Sequence, residues 1–206
     1  MHELFTIGHS NHSVEKLIEL LHKYSITAVC DVRSHPYSKH NPQFNREPIQ
    51  RELKGQKITY VFLGNELGPR SDDSTCYKDG KVQYHLLAKT EPFKQGLERI
   101  RKGMQSYRLA LMCAEKDPIM CHRTILVCRH IRSEEVEIKH ILEDGSVESN
   151  NDSEKRLMRL LKIPQLQLFD STEELIQRAY DIQSEKIAYV EPVNNHSELK
   201  ESLENT

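Results

Sequence analysis

The sequence predicts an α/β fold: a mainly parallel sheet of about five strands flanked by helices, three-layered and Rossmann-like, with a C-terminal helical extension. Three observations carry that expectation. Short apolar runs recur along the chain, each closed by glycine, aspartate or a polar loop. Between them lie stretches whose apolar residues are spaced three and four apart, the period of a helix with one buried face. Ionisable and flexible residues collect just after the strands, where open parallel sheets bind ligands.

The first run, residues 3–7 (ELFTI), ends at Gly8 and reads as a strand. Ser13 supplies a helix cap, and Val14, Leu17, Ile18 and Leu21 give a one-sided helix running to Tyr24. Residues 26–32 (ITAVCDV) are largely apolar, as strands covered on both faces tend to be. Residues 34–48 (SHPYSKHNPQFNREP) read as a long loop, with residues 50–53 ending a short helix. The third strand is 58–63 (ITYVFL), closed by Gly64 and followed by a polar loop through Tyr77 and Gly80. Phe93, Leu97, Ile100 and Met104 mark another amphipathic helix, 108–113 (RLALMC) the fourth strand, and 121–132 the helix behind it. Residues 136–142 (VEIKHIL) complete the sheet, which makes 1–145 the α/β domain. Composition shifts at 146–153 (SVESNNDS), expected as a linker. The remainder, to residue 206, is an extension with helices at 154–162 and 172–183 around a short IPQLQLF segment, and a polar, frayed end from residue 194.

Net charge is −2 and the pI about 6.6, so the chain lacks the overall electrostatic footprint of a nucleic-acid binder. No apolar run approaches the ~18 residues that span a bilayer. The N-terminus, MHELFTIGHS, has no basic stretch followed by a long apolar one. A soluble, cytoplasmic protein without membrane association is therefore expected. Five widely spaced cysteines, an odd number, fit reduced thiols better than a disulfide framework.

The functional residues are expected at the strand ends. Gly8-His9-Ser10-Asn11 follow the first strand, Asp31-Val32-Arg33 end the second, and Glu66 and Arg70 follow the third. Cys113-Ala114-Glu115-Lys116-Asp117-Pro118 and then Cys121-His122-Arg123 follow the fourth. A thiol is nucleophilic as thiolate, which helix N-termini and nearby cations favour. Arg123, His122 and Lys116 act in that direction near Cys113, whereas Glu115 and Asp117 oppose it. The leading expectation is thus a thiol-dependent enzyme, a transferase or hydrolase, acting on a small anionic or nucleotide-like substrate. Cys113 is its nucleophile or sulfur carrier, His9 or Glu115 its proton-transfer group, and Ser10, Arg33, Glu66, Arg70, His122 and Arg123 contact the substrate. Asp31 with Arg33, and Glu66 with Arg70, read equally well as structural bridges.

Cys121 admits other roles: a disulfide partner of Cys113, a metal ligand, or a helix start. Cys113, Cys121 and His122, with His9 nearby, offer a donor set for zinc or iron, the candidate cofactors. A metal-binding or redox-sensing module is therefore the second expectation. A third is a nucleic-acid-associated factor using the loop from Arg33 to Arg51, with Tyr37, Lys39, Phe44 and Arg46. Cys128, three residues after Ile125, reads as core, and Cys30 and Cys76 as bland.

FTIGHSNHSVEKLIELL, CDVRSHPYSKHNPQFN, YVFLGNELGPR and LMCAEKDPIMCHRTILV together resemble the bacterial family catalogued as domain of unknown function 488. The resemblance covers residues 3–145 and extends more weakly into IPQLQLF and KIAYV. It implies an α/β fold with signature positions at Gly8-His9-Ser10, Asp31-Val32-Arg33 and Cys113 to Arg123, and supplies no reaction. A looser likeness is to rhodanese-type sulfurtransferases, where a strand ending in Asp-Val-Arg accompanies a later strand ending in a cysteine. By that likeness Cys113 carries a persulfide. The loop after Cys113 is longer here, and SHPYSKHNPQF replaces the Gly-His-Ile step.

Overall fold

The computed structural model describes residues 1–10, 12–164 and 170–192. Asn11, most of the IPQLQLF segment and the polar end from residue 194 lie outside the described residues. Strand β1 (His2–Gly8) is followed by α1 (Val14–Lys23), whose cap is the expected one: Ser13 Oγ accepts from Lys16 N at 3.2 Å. Leu17, Leu20 and Leu21 bury the face set by their spacing, each worth about 1.5–3 kcal/mol when withdrawn from water. The chain crosses to β2 (Ala28–Asp31), then α2 (Arg46–Gly55) and β3 (Thr59–Phe62). A short α3 (Gly64–Leu67) precedes a hairpin of β4 (Tyr77–Lys78) and β5 (Lys81–Val82). Its two-residue turn is Asp79-Gly80, both at positive φ (51° and 71°), the backbone twist that tight hairpins require.

Helices α4 (Tyr84–Leu87) and α5 (Glu91–Met104) return the chain to β6 (Leu109–Cys113). Beyond it come a 3₁₀ turn at Pro118–Met120, a π-helix at Arg123–Cys128 and α6 (Arg129–Ile131). Strands β7 (Val136–Ile141) and β8 (Val147–Ser149) and helices α7 (Asn150–Leu160) and α8 (Thr172–Ile187) complete the described chain.

The main sheet has six strands in the order β3-β2-β6-β1-β7-β8, all parallel except β8, which pairs antiparallel with β7 at the edge. Helices cover both faces. On one, Leu17, Leu20 and Leu21 of α1 and Ile49 and Leu53 of α2 pack on Phe5, Ile7, Val29, Ala110 and Met112. On the other, residues of α5, the π-helix, α7 and α8 pack on Leu4, Cys30, Leu109 and Leu111. The expected three-layer α/β architecture and its C-terminal helices are therefore present. Among the described residues, no helix is long and apolar enough to cross a membrane.

Several boundaries differ from expectation for local reasons. Residues 146–153, expected as a linker, supply β8 and the start of α7, where Ser149 Oγ accepts from Asp152 N at 3.1 Å. Their polar composition is that of an edge strand and a helix cap. The stretch 34–48, expected as a loop, already contains a 3₁₀ turn at Pro42–Phe44 and the first residues of α2. The helix expected at 121–132 does not begin at Cys121, which is extended (φ −131°, ψ 140°). It starts at Arg123 with a π-helical turn whose six residues are all buried, a width no single amphipathic stripe announces.

A candidate metal centre

Strand order places the site. From β1 the chain crosses over β6 to β2 by way of α1, whereas from β6 it crosses over β1 to β7 on the opposite face. The carboxyl ends of β1 and β6 therefore form the switch point where parallel sheets open a crevice. Gly8 and Cys113 are direct partners there, and the loop after Cys113 continues the pairing: His9 N donates to Cys113 O at 2.9 Å and Ser10 N to Ala114 O at 2.8 Å. A Cβ on Gly8 would lie 1.9 Å from the Glu115 carbonyl oxygen, so the close approach of this loop to β1 requires glycine.

That loop folds Cys113, Glu115, Cys121 and His122 onto one point. Their ligating atoms all lie within 4.8 Å of one another. Glu115 Oε2 accepts from both thiols, Cys113 Sγ and Cys121 Sγ, at 2.9 Å each. His122 Nδ1 lies 3.6 Å from Cys113 Sγ and 3.9 Å from Cys121 Sγ. Donors held about 2.0–2.3 Å from a tetrahedral zinc ion stand about 3.3–3.8 Å apart. The separations here, 2.9 Å from Glu115 Oε2 to each sulfur and 3.6 and 3.9 Å from His122 Nδ1 to the sulfurs, bracket that range.

The orientation of His122 is fixed from behind. Its Nε2–H donates to the Val32 carbonyl at 2.9 Å, leaving Nδ1 to face the sulfurs. A ring nitrogen pinned to a backbone carbonyl while the other faces the donor set is the usual support of a metal-ligating histidine. Burial pushes the Cys121 thiol well above its ordinary range. Burial works to keep the His122 imidazole neutral, but the neighbouring Cys121 sulfur and Glu115 raise it on balance. Burial also works to raise the Glu115 carboxyl, and the bonds from Cys113 and Cys121 more than reverse it. Cys121 and His122 are thus held toward their protonated forms, while Glu115 is held as the carboxylate that accepts from both thiols.

Arg123 lies under the loop and is fully buried. Nε donates to Thr6 Oγ1 at 3.2 Å, one terminal nitrogen to the Glu115 carbonyl and the other to the Lys116 carbonyl at 3.2 Å. Its backbone N–H donates to Cys121 Sγ at 3.4 Å. The network continues inward: His140 Nδ1 is 2.9 Å from Thr6 Oγ1, and His140 Nε2 is 3.1 Å from Asn150 Oδ1. Asn150 and the Tyr180 hydroxyl then both donate to Glu154 Oε1 at 2.8 Å.

Of the substrate contacts read from the sequence, Arg123 and Arg33 are engaged within the protein. Arg33 Nε and a terminal nitrogen donate to Asp31 at 2.9 and 2.6 Å, that same terminal nitrogen to Phe44 O at 2.9 Å, and the other meets His9 Nε2 at 3.0 Å. Tyr60 adds a bond to Asp31 at 2.7 Å. His9 stacks on Phe44 with ring centroids 4.3 Å apart, and burial, then the Arg33 charge, pushes its pKa down to about 4. His9 is therefore neutral at pH 7. Ser10 flanks the centre through its backbone. Glu66 and Arg70 line a separate cavity of about 560 Å³ near the end of β3, Glu66 paired with Arg99 and Arg70 stacked 4.0 Å over Tyr189. In the loop from Arg33 to Arg51, Phe44 is buried and Arg46 lies 4.2 Å over Phe62, while Tyr37 and Lys39 are exposed. Cys128 and Cys30 are buried, and so is Cys76 despite its polar surroundings in sequence.

Glu115 belongs to the donor set, whereas its sequence position suggested only proton transfer. Thr6, His140 and Asn150 carried no signal: two lie in apolar strands, the third in the supposed linker.

A family model described as Domain of unknown function DUF488 matches residues 13–129, which contain Arg33, Cys113, Glu115, Cys121, His122 and Arg123 but not Thr6 or His9. No curated protein and no solved structure matches the chain. The rhodanese likeness receives no support from these comparisons.

Proposed function

We propose, for a chain that belongs to the DUF488 family, that it is a metal-dependent protein whose functional centre binds zinc or iron through Cys113, Cys121, His122 and Glu115. The observation that carries this reading is the convergence of the four donor atoms within 4.8 Å with His122 already oriented. Three members are buried and Glu115 is exposed. Catalytic zinc sites hold three protein ligands and leave a fourth position exchangeable. Glu115 stands at such a position, so the centre suits chemistry on a small oxygen-bearing, anionic substrate. A bound ion would supply Lewis acidity there. The chain's own contribution is orientation: Val32 O fixes His122, and Arg123 holds the loop that carries Glu115. A cytoplasmic setting, which keeps thiols reduced and available as ligands, completes the reading.

Elemental analysis of purified protein tests it. About one equivalent of zinc or iron is expected in the wild type, with loss in Cys113→Ser and Cys121→Ser. Sub-stoichiometric metal that is unchanged in both variants refutes it.

A second reading, a thiol-dependent enzyme with Cys113 as nucleophile, rests on Glu115 Oε2 as a base 2.9 Å from Cys113 Sγ. Iodoacetamide labelling separates the two. The thiol reading expects fast alkylation of Cys113 in protein as purified, and the metal reading expects it only after chelation.

A further inference from the structure

Among the described residues, the buried polar side-chain atoms are nearly all paired, and His9 is an exception beside the centre. Among the described residues, His9 Nδ1 and Thr124 Oγ1 are the buried side-chain nitrogen and oxygen atoms without a hydrogen-bond partner. His9 is 5 % exposed. Its tautomer is not free. The Arg33 guanidinium has only donors, so the nitrogen it meets at 3.0 Å, Nε2, must accept, and the proton sits on Nδ1. Arg33 is locked in turn by two bonds to Asp31 and one to Phe44 O. The row Asp31–Arg33–His9 thus presents one fixed N–H with no hydrogen-bond acceptor among the described residues. Leaving a buried donor unpaired is costly, and such groups mark positions where a ligand or water completes the bond.

Topology places His9 beside the centre. His9 follows β1 and Arg33 follows β2, and β6 lies between those strands. A bond between the two side chains therefore passes over the end of β6, where Cys113 sits. One face of the His9 ring is covered by Phe44. Glu115, the exposed member of the donor set, is the group that can leave without unpacking the core.

We propose that His9 is the ligand-binding donor of this centre, and that the centre takes a small carboxylate or similar oxyanion. One oxygen of that ligand replaces the Glu115 carboxylate in the donor set and a second accepts from His9 Nδ1–H. The ligand is an exogenous copy of the Glu115 carboxyl group, with Arg33 behind His9 fixing the tautomer that donates to it. This inference rests on the metal reading above.

The test uses full-length protein loaded with cobalt(II) and titrated with acetate, followed by the visible d–d bands. Wild type is expected to show a saturable acetate-dependent change. His9→Leu is expected to keep the cobalt–thiolate charge-transfer band but to bind acetate about tenfold more weakly or worse. His9→Asn, whose amide N–H can stand close to the Nδ1 position, is expected to recover much of that affinity. Equal acetate affinity in wild type and His9→Leu, or no acetate response in wild type, overturns the assignment of His9. Absence of the thiolate band from wild type refutes the metal centre itself, a different failure read in a different part of the spectrum.

Discussion

Asp31 is fully buried beneath Arg33 and receives two of its nitrogens and the Tyr60 hydroxyl. Removing one partner of a buried, hydrogen-bonded ion pair leaves the other charge uncompensated, at about 3–5 kcal/mol. Asp31→Asn is therefore expected to lower the urea midpoint substantially, and a loss below about 1 kcal/mol would show that Arg33 finds a new partner. Sequence reading reached this pair as an either-or, bridge or substrate contact, because adjacency in a strand end says nothing about where a guanidinium points. It found Cys113, Cys121 and His122 as a donor set, since those residue types near one strand end are chemically distinctive. It separated Glu115 from them because a carboxylate two residues after a cysteine is as common on a solvated loop as in a metal shell. Only the fold, by bringing the loop back over Gly8, distinguishes the two.

Elements carry the site through their ends. The loop from Ala114 to Asp117 rests on Gly8, where any Cβ would overlap the Glu115 carbonyl. Gly8→Ala is expected to displace this loop, destabilise the fold and weaken metal binding together, whereas Gly55→Ala, where a Cβ meets nothing within 4 Å, should leave metal content unchanged. Comparable metal affinity in both variants would show that the loop can move away from β1 without disturbing the donors. At the far edge, Ser149→Ala removes the α7 cap and should cost about 1 kcal/mol by thermal denaturation. Strands and amphipathic helices were legible because burial imposes a period on the chain. The π-helix and the β8–α7 segment were not: the first is buried all round and so has no stripe, and the second is short, polar and at the sheet edge.

Across the molecule, a buried polar chain runs from the centre through Arg123, Thr6, His140 and Asn150 to Glu154 in α7, where Tyr180 of α8 joins it. His140 is its titratable midpoint. Burial, and then the Arg123 charge, pushes its pKa down to about 4; Asn150 and Glu148 act the other way, and Arg156 adds to the lowering. A histidine depressed on folding contributes stability that is complete above its unfolded value near 6.5 and is lost as pH falls toward 4. The urea midpoint is thus expected to drop between about pH 6.5 and 4, and His140→Gln should flatten that part of the profile. An equal slope in the variant would assign the loss to other groups. The order of strands, which creates the switch point, was beyond sequence reading: insertion of β6 between β1 and β2 depends on long-range pairing, whereas the alternation of strands and helices that predicted the architecture is local.

X-ray absorption at the zinc edge of zinc-loaded protein tests the central claim most directly. Two sulfur neighbours at about 2.3 Å and the remaining nitrogen and oxygen neighbours at about 2.0–2.2 Å are expected, with one sulfur lost in Cys113→Ser. A shell of nitrogen and oxygen alone, or a spectrum unchanged in that variant, would contradict it.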